Sequence, residues 1–252
     1  MFRLLKLKPP HGWNAVAWEL LIVTLGVLIA LGAQQAVEAV NQRREAAETR
    51  AALTKEIVET LAILELRRTA QSCIDKRLGE LRAIVNEWGR TGNFDTPRWV
   101  SQATWFAVGT ARFDAAQSAG RLALLSSEEQ YRLGLVVGNL RSFQEIQSKE
   151  IETWGKLRML QTGADALSAG DRTEIRVALQ EASTLNYLAK IKVGQTLQQA
   201  SSYGWRPDMR RARQSMRLAW KDGRFAPTIC LSIDTPPEQA NRETNMIYAL
   251  PE

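Results

Sequence analysis

The 252-residue chain is 45% hydrophobic, 24% charged and carries a formal net charge of +6. That length holds one domain with a sizeable core, or two small ones. One histidine and two cysteines are too few for a Cys/His structural zinc site within the chain, which wants four ligands. Aromatics make up only 7%, while Ala, Leu, Gln, Glu and Arg dominate, a helix-forming composition.

Residues 1–14 read as a short cytoplasmic tail. Residues 15–33, AVAWELLIVTLGVLIALGA, form a 19-residue run with one charge, Glu19. As a helix it spans about 28 Å, close to the roughly 30 Å hydrocarbon core of a bilayer. Ten of its residues are Val, Leu or Ile, which together favour insertion by roughly 3–6 kcal/mol. Glu19 lies in the first turns, where its carboxylate reaches the interface at less than the ~3 kcal/mol midplane cost. Insertion wins. Trp13 and Trp18 stand where an interfacial aromatic belt would be. A cleaved signal peptide is the rival reading, but its apolar region is normally about 7–15 residues, and Ala30-Leu31-Gly32 is a mediocre cleavage site.

Arg3, Lys6 and Lys8 before the run balance Arg43, Arg44 and Arg50 after it, so the positive-inside count is a tie. The short tail and long following domain favour a cytoplasmic N-terminus and an extracytoplasmic domain, periplasmic in a Gram-negative cell. Within the membrane, Glu19 either snorkels to the interface or pairs with a group on a neighbouring helix. Gly26 and Ala30 form a small-xxx-small pair that lets another helix approach closely.

Residues 34–52 continue as a helix without Gly or Pro, with Val37 and Val40 as the large apolar side chains and an Arg44–Glu48 pair at i,i+4. They read as a solvated helical stalk of about 28 Å. A helical bundle domain is expected over 53–224. Leu53, Ile57, Leu61 and Leu64, then Ile74, Leu78, Leu81, Val85 and Trp88, recur at bundle spacing, and Gly89, Gly92 and Asn93 end the pattern. Thr96-Pro97 predicts the start of a short apolar helix holding Trp99, Trp105 and Phe106. A break is expected between Gly109 and Gly120. Ser126 and Glu129 match a capping box opening a long helix to about Leu160. A further helix is expected from about Arg172 to Ser202, ended by Tyr203–Pro207. A short basic helix over 208–222 would stop at Gly223, and 225–252 reads as a Pro-rich extended tail. The fold class expected is all-α: one transmembrane helix continuing through a stalk into an antiparallel helix bundle.

The sole histidine, His11, precedes the membrane run, so a histidine triad or histidine base is not available to the outer domain. A cysteine nucleophile would lack its histidine, and no phosphate-binding glycine loop is present. The carboxylates fall at spacings expected of solvated helix faces. These observations point to a non-enzymatic protein without a cofactor; a hydrolase using paired carboxylates is a third and weaker reading. Arg206, Arg210, Arg211, Arg213, Arg217, Lys221 and Arg224 place seven positives within 19 residues, reduced to +5 by Asp208 and Asp222. A solvated helix face and contact with an anionic surface, lipid head groups or an acidic partner, are both open. Nucleic acid would require the opposite topology. Cys73 and Cys230 are even in number and far apart, compatible with a disulfide in an oxidising compartment or with two unrelated buried thiols.

The run Trp18-Glu19, Ile22–Gln35 and Glu38, with Cys73-Ile-Asp-Lys-Arg77 and Ile229-Cys230, resembles an uncharacterised family of bacterial single-pass inner-membrane proteins. The resemblance covers the first 90 or so residues and a few positions near the end. It implies an anchored helical domain outside the cytoplasm and a Cys73–Cys230 pairing, and it implies no activity. Two functions remain in view. One is an accessory subunit packing its anchor and stalk against other inner-membrane proteins. The other is a stand-alone envelope sensor or lipid-binding module, homodimeric through the stalk.

Overall fold

The computed structural model describes residues 12–101, 106–210, 220–221, 224–225 and 227–248, with side chains over 16–101, 106–210 and 227–242. The protein is all-α. Helix α1 (Gly12–Thr69) is 58 residues long, about 87 Å at helical rise. It is followed by α2 (Gln71–Thr91). The intervening Ala70 keeps a right-handed helical backbone (φ −73°, ψ −11°), and Ile74 N–H still reaches its carbonyl at 3.2 Å. The absence of Gly and Pro from Gln34 to Leu78 is the local reason. Helix α2 stops at Gly92, which takes the left-handed conformation (φ 79°) that only glycine adopts cheaply and donates to the Trp88 carbonyl at 3.0 Å.

Helix α3 (Ala111–Ser118) and a 3-10 turn (Arg121–Leu124) precede α4 (Ser127–Leu157). The capping box expected at Ser126 is present in both directions: Glu129 N–H donates to Ser126 Oγ at 3.3 Å and Ser126 N–H to Glu129 Oε2 at 3.0 Å. Two further 3-10 turns lead to α5 (Ala169–Ser202). A second capping box opens it, with Asp171 in the Glu position and its N–H bonded to Ser168 Oγ at 3.2 Å. Helix α5 therefore begins three residues earlier than its periodicity indicates.

Bonds between the helices fix their directions. Asn139–Gln199 (2.9 Å) and Lys156–Glu174 (3.4 Å) run α4 and α5 in opposite senses. Arg67–Asn186 (3.2 Å) and Arg82–Ser183 (3.1 Å) do the same for the α1–α2 rod against α5. The core fills the space between three 4-3-4-3 seams. Leu53, Ile57, Leu64, Ile74, Leu81 and Trp88 face Val136, Leu140, Phe143, Trp154 and Leu157 of α4 and Ile175, Leu179, Ala182, Ala189 and Val193 of α5, all buried. The domain begins at Thr49, already 7% exposed, one turn before the expected boundary. Arg50 pairs with Glu129.

Three expectations need correction. The segment after Thr96-Pro97 is irregular over 93–101 and 106–110, because its backbone is taken by tertiary partners. Trp99 N–H donates to Ile233 O at 2.8 Å, the Trp99 and Val100 carbonyls accept from Arg77, and Phe106 N–H and C=O both bond the Gln147 side chain at 2.9 Å. A helix there would take the Trp99 and Val100 carbonyls from the buried Arg77 and the Phe106 backbone from the buried Gln147. Trp105 lies outside the described residues. The 225–252 region is not simply extended: it contains a 3-10 turn (Thr228–Cys230), whose Ile229 is 1% exposed, and helix α6 (Pro237–Tyr248). Pro237 at the first helical position fits, since its missing N–H would have no intrahelical acceptor, and the buried Ala240 packs the first turn. Finally, of the basic helix expected over 208–222, Met209 and Arg210 are helical, 211–219 and 222 lie outside the described residues, and the end at 220–221 is strand rather than helix. The described part includes a two-residue antiparallel pair, β1 (Trp220–Lys221) with β2 (Arg224–Phe225), so Lys221 is in a strand.

Candidate functional site

The feature that most needs a partner is the lower half of α1. Its apolar window is long enough to cross a membrane, and none of it is buried by the described residues. Leu20 is 68% exposed, Ile22 63% and Ile29 64%. The cost of leaving that much apolar surface in water is removed only by lipid or by another protein. Glu19, Gly26 and Ala30 lie on this stretch, exposed, with nothing within 4 Å of a Cβ placed on Gly26. In the stalk, Val37 and Val40 are 61% and 64% exposed, and Arg44 Nε meets Glu48 Oε1 at 3.0 Å as expected.

Where α1 enters the domain, an open groove of about 500 Å³ lies along it. Ala47, Ala51, Thr54 and Val58 form its floor, with Arg50, Lys55, Glu59 and Asp208 around it. The backbone N–H of Asp208 donates to the Val58 carbonyl at 3.3 Å. The basic run therefore starts beside α1, on the groove. Arg206 Nη1 donates to Ser201 Oγ at 2.7 Å, and Arg210 lies 3.9 Å from Asp208 and is otherwise solvated. Arg211, Arg213 and Arg217 are outside the described residues, and Lys221 and Arg224 are described by backbone only.

Nearby, Arg50 clasps Glu129 at the mouth of α4. The guanidinium, with the Ser126 backbone N–H, holds the Glu129 carboxyl down from its ordinary 4.5 to about 2. The contact ties the foot of the domain to α1 while α1 keeps its opposite face free.

Cys73 and Cys230 sit at disulfide-bonding distance, with Cα atoms 4.9 Å apart. One turn along α2, Arg77 is 2% exposed and collects the carbonyls of Trp99 (2.6 Å), Val100 (2.9 Å) and Leu231 together with Glu80 (2.8 Å). The Trp99 indole N–H donates to Thr228 O at 3.2 Å. Cysteines, arginine and tryptophan form one clasp that fastens both the 93–101 strap and the C-terminal segment onto α2.

A polar layer crosses the middle of the core, although helical spacing alone assigns its carboxylates to solvated faces. Arg67 and Glu150 are each 2% exposed and pair at 3.1 Å. Arg67 also donates to Asn186 Oδ1 and to Gln71 Oε1 (2.8 Å), and Gln71 and Asn186 both donate to Asp75 (2.8 and 2.7 Å). Burial pushes the Glu150 carboxyl up and the Arg67 guanidinium down, and each charge opposes the shift of the other. The layer opens to solvent through a polar pocket of about 290 Å³ at Asp75, Arg82, Asn186 and Lys190. The missed signal is register. Arg67 follows Leu64 by three residues on the seam that Leu53 and Ile57 begin. Glu150 lies between Gln147 and Trp154, and Asn186 between Ala182 and Ala189, each on its helix's buried seam.

Among the described residues there is no group of three His, Cys, Asp or Glu placed to share a metal ion. What the described surface presents is an apolar helix face, a groove and cations at its edge. No family model, curated protein or solved structure matches the chain.

Proposed function

We propose that this is a non-enzymatic, single-pass membrane protein that serves as an accessory or scaffolding subunit of a larger bacterial inner-membrane complex. The N-terminus faces the cytoplasm and the helical domain the periplasm. The observation that carries the reading is a helix of about 87 Å whose lower half is covered by none of the described residues, while its upper half is built into a cross-braced domain. Such a rod transmits position from the bilayer to a domain without a flexible joint. The cysteine pair at bonding distance supports an oxidising location.

The test is gentle-detergent purification of the tagged native protein, with sizing and mass spectrometry of what accompanies it. Co-purification of a fixed set of membrane proteins in constant ratio is expected. Elution of the chain without other proteins overturns the accessory role. A second reading, a stand-alone sensor or anionic-lipid-binding module, draws on one observation: the Asp208–Val58 bond starts the basic run at the groove beside α1. Binding of the purified protein to anionic but not neutral vesicles, lost at high salt, would favour it.

A further inference from the structure

Helix α1 carries two seams, and only one is used by the domain. The used seam begins at Leu53, Ile57 and Leu64, all buried. The other is offset around the helix and is exposed or half-exposed along its whole length. In the membrane run it consists of Gly26, Ala30 and Ala33. In the stalk it passes Val37, Val40 and Arg44. At the domain it continues as Ala47, Ala51, Thr54 and Val58, the floor of the groove. Every step is four or three residues, the repeat that keeps one stripe facing a partner helix over many turns.

We infer that the occupant of this seam is α1 of a second copy, lying parallel and in register. This rests on the proposed reading of α1 as a membrane-anchored contact surface, and it names the partner. Three features favour self-pairing. Two copies anchored by the same run enter the membrane from the same side, so their α1 helices are parallel, the sense in which a 4-3 seam meets itself in register. Small residues at Gly26, Ala30, Ala33, Ala47 and Ala51 let two backbones approach closely. The flanks are complementary in that orientation: with Val37 and Arg44 at a, Arg43 falls at g and Glu48 at the following e, the pair that meets across a parallel dimer. Arg43 has no ion-pair partner among the described residues, whereas Glu48 is exposed and already holds Arg44 from its own helix. Between Gly26 and Val58, Arg44 is the one charged residue on the stripe. A single polar residue at an a position costs stability and fixes register and helix number, and here its charge is balanced by Glu48. The seam ends at Val58, where the chain at Asp208 crosses the helix.

Full-length protein in its native membrane, carrying single added cysteines at Val37, Val40, Ala47 or Ala51, tests the inference, with Gln35 and Gln42 on the opposite face as controls. Mild oxidation should give covalent dimers of the chain at the four seam positions, at least several-fold above the controls. Arg43→Glu should lower the Val40→Cys crosslink about fivefold, since two symmetry-related attractions become repulsions, and Arg43→Glu with Glu48→Arg should restore it. Equal crosslinking at seam and control positions overturns the pairing. Crosslinks from seam positions to a different protein only also overturn it, while leaving the accessory-subunit reading intact. No crosslink from any seam position removes both.

Discussion

The two halves of α1 belong to one unbroken helix, yet they meet opposite fates. From Thr49 to Thr69 the helix buries Leu53, Ile57, Leu61 and Leu64 and is held by an ion pair, two capping contacts to α3 from Glu56 (2.8 and 3.1 Å) and the Arg67 layer. From Val16 to Glu45 every side chain is exposed, and apolar residues surround the whole circumference of the run from Val16 to Ala33 except at Glu19. Helix formation is thus indifferent to what lies around the rod. A stripe of apolar residues selects a protein neighbour, whereas an apolar circumference selects lipid.

The comparison breaks most severely at the clasp. Replacing Cys73 and Cys230 with Ala opens a link across 157 positions, about 5 kcal/mol in the chain-entropy model. Chemical denaturation of the domain should report most of that, together with release of the 227–235 segment. Next is the polar layer. Glu150→Leu leaves Arg67 buried without its counter-ion and should cost about 3–5 kcal/mol. Glu150→Leu with Arg67→Met should recover much of the loss, because two matched apolar side chains carry no desolvation penalty; additive losses in urea melts would show that the layer is not acting as a pair.

The halves of α1 can be set against each other directly. Leu61→Ala should destabilise the domain by about 2–5 kcal/mol through the cavity it leaves. Val40→Ala, on the exposed stalk, should change the same unfolding curve by less than about 0.5 kcal/mol. An effect smaller than the core losses is expected at the Arg50–Glu129 foot. Because the folded-state carboxyl is depressed to about 2, its contribution is fully present above the ordinary 4.5 and is lost as pH falls from there toward 2. The pair is partly exposed, so the effect should shrink further in salt. A Glu129→Gln variant should lack this step in an acid titration of stability.

Much of the fold was legible because it is written in local terms. Leu53 to Trp88 show their seam by spacing, Ser126 with Glu129 shows a helix start, and Gly92 an end. What was not legible depends on partners distant in sequence. Thr96-Pro97 looks like a helix start and Trp99 like its first apolar residue, but Arg77 and Ile233 claim that backbone. Arg67 and Glu150 look like surface charges until three seams are laid side by side and each contributes a polar residue at the same level. The exposed groove at Ala47 and Val58 emerges only when the domain is built around the other face of α1.

By itself, then, the sequence determined the apolar membrane-length run, the unbroken helix leaving it, the positions of the main helices and the buried faces that join them. Those properties follow from backbone propensity and side-chain periodicity, which act over a few residues. The tertiary structure alone decided the path of 93–101, the docking of Ile229 and α6, the approach of Cys73 to Cys230 and the polar layer at Arg67. The strap, the cysteine pair and the polar layer are each a polar or covalent demand met by a group more than twenty residues away in the chain. Such a demand has no local signature, because a buried hydrogen bond is specified by where two elements meet rather than by the residues beside either partner.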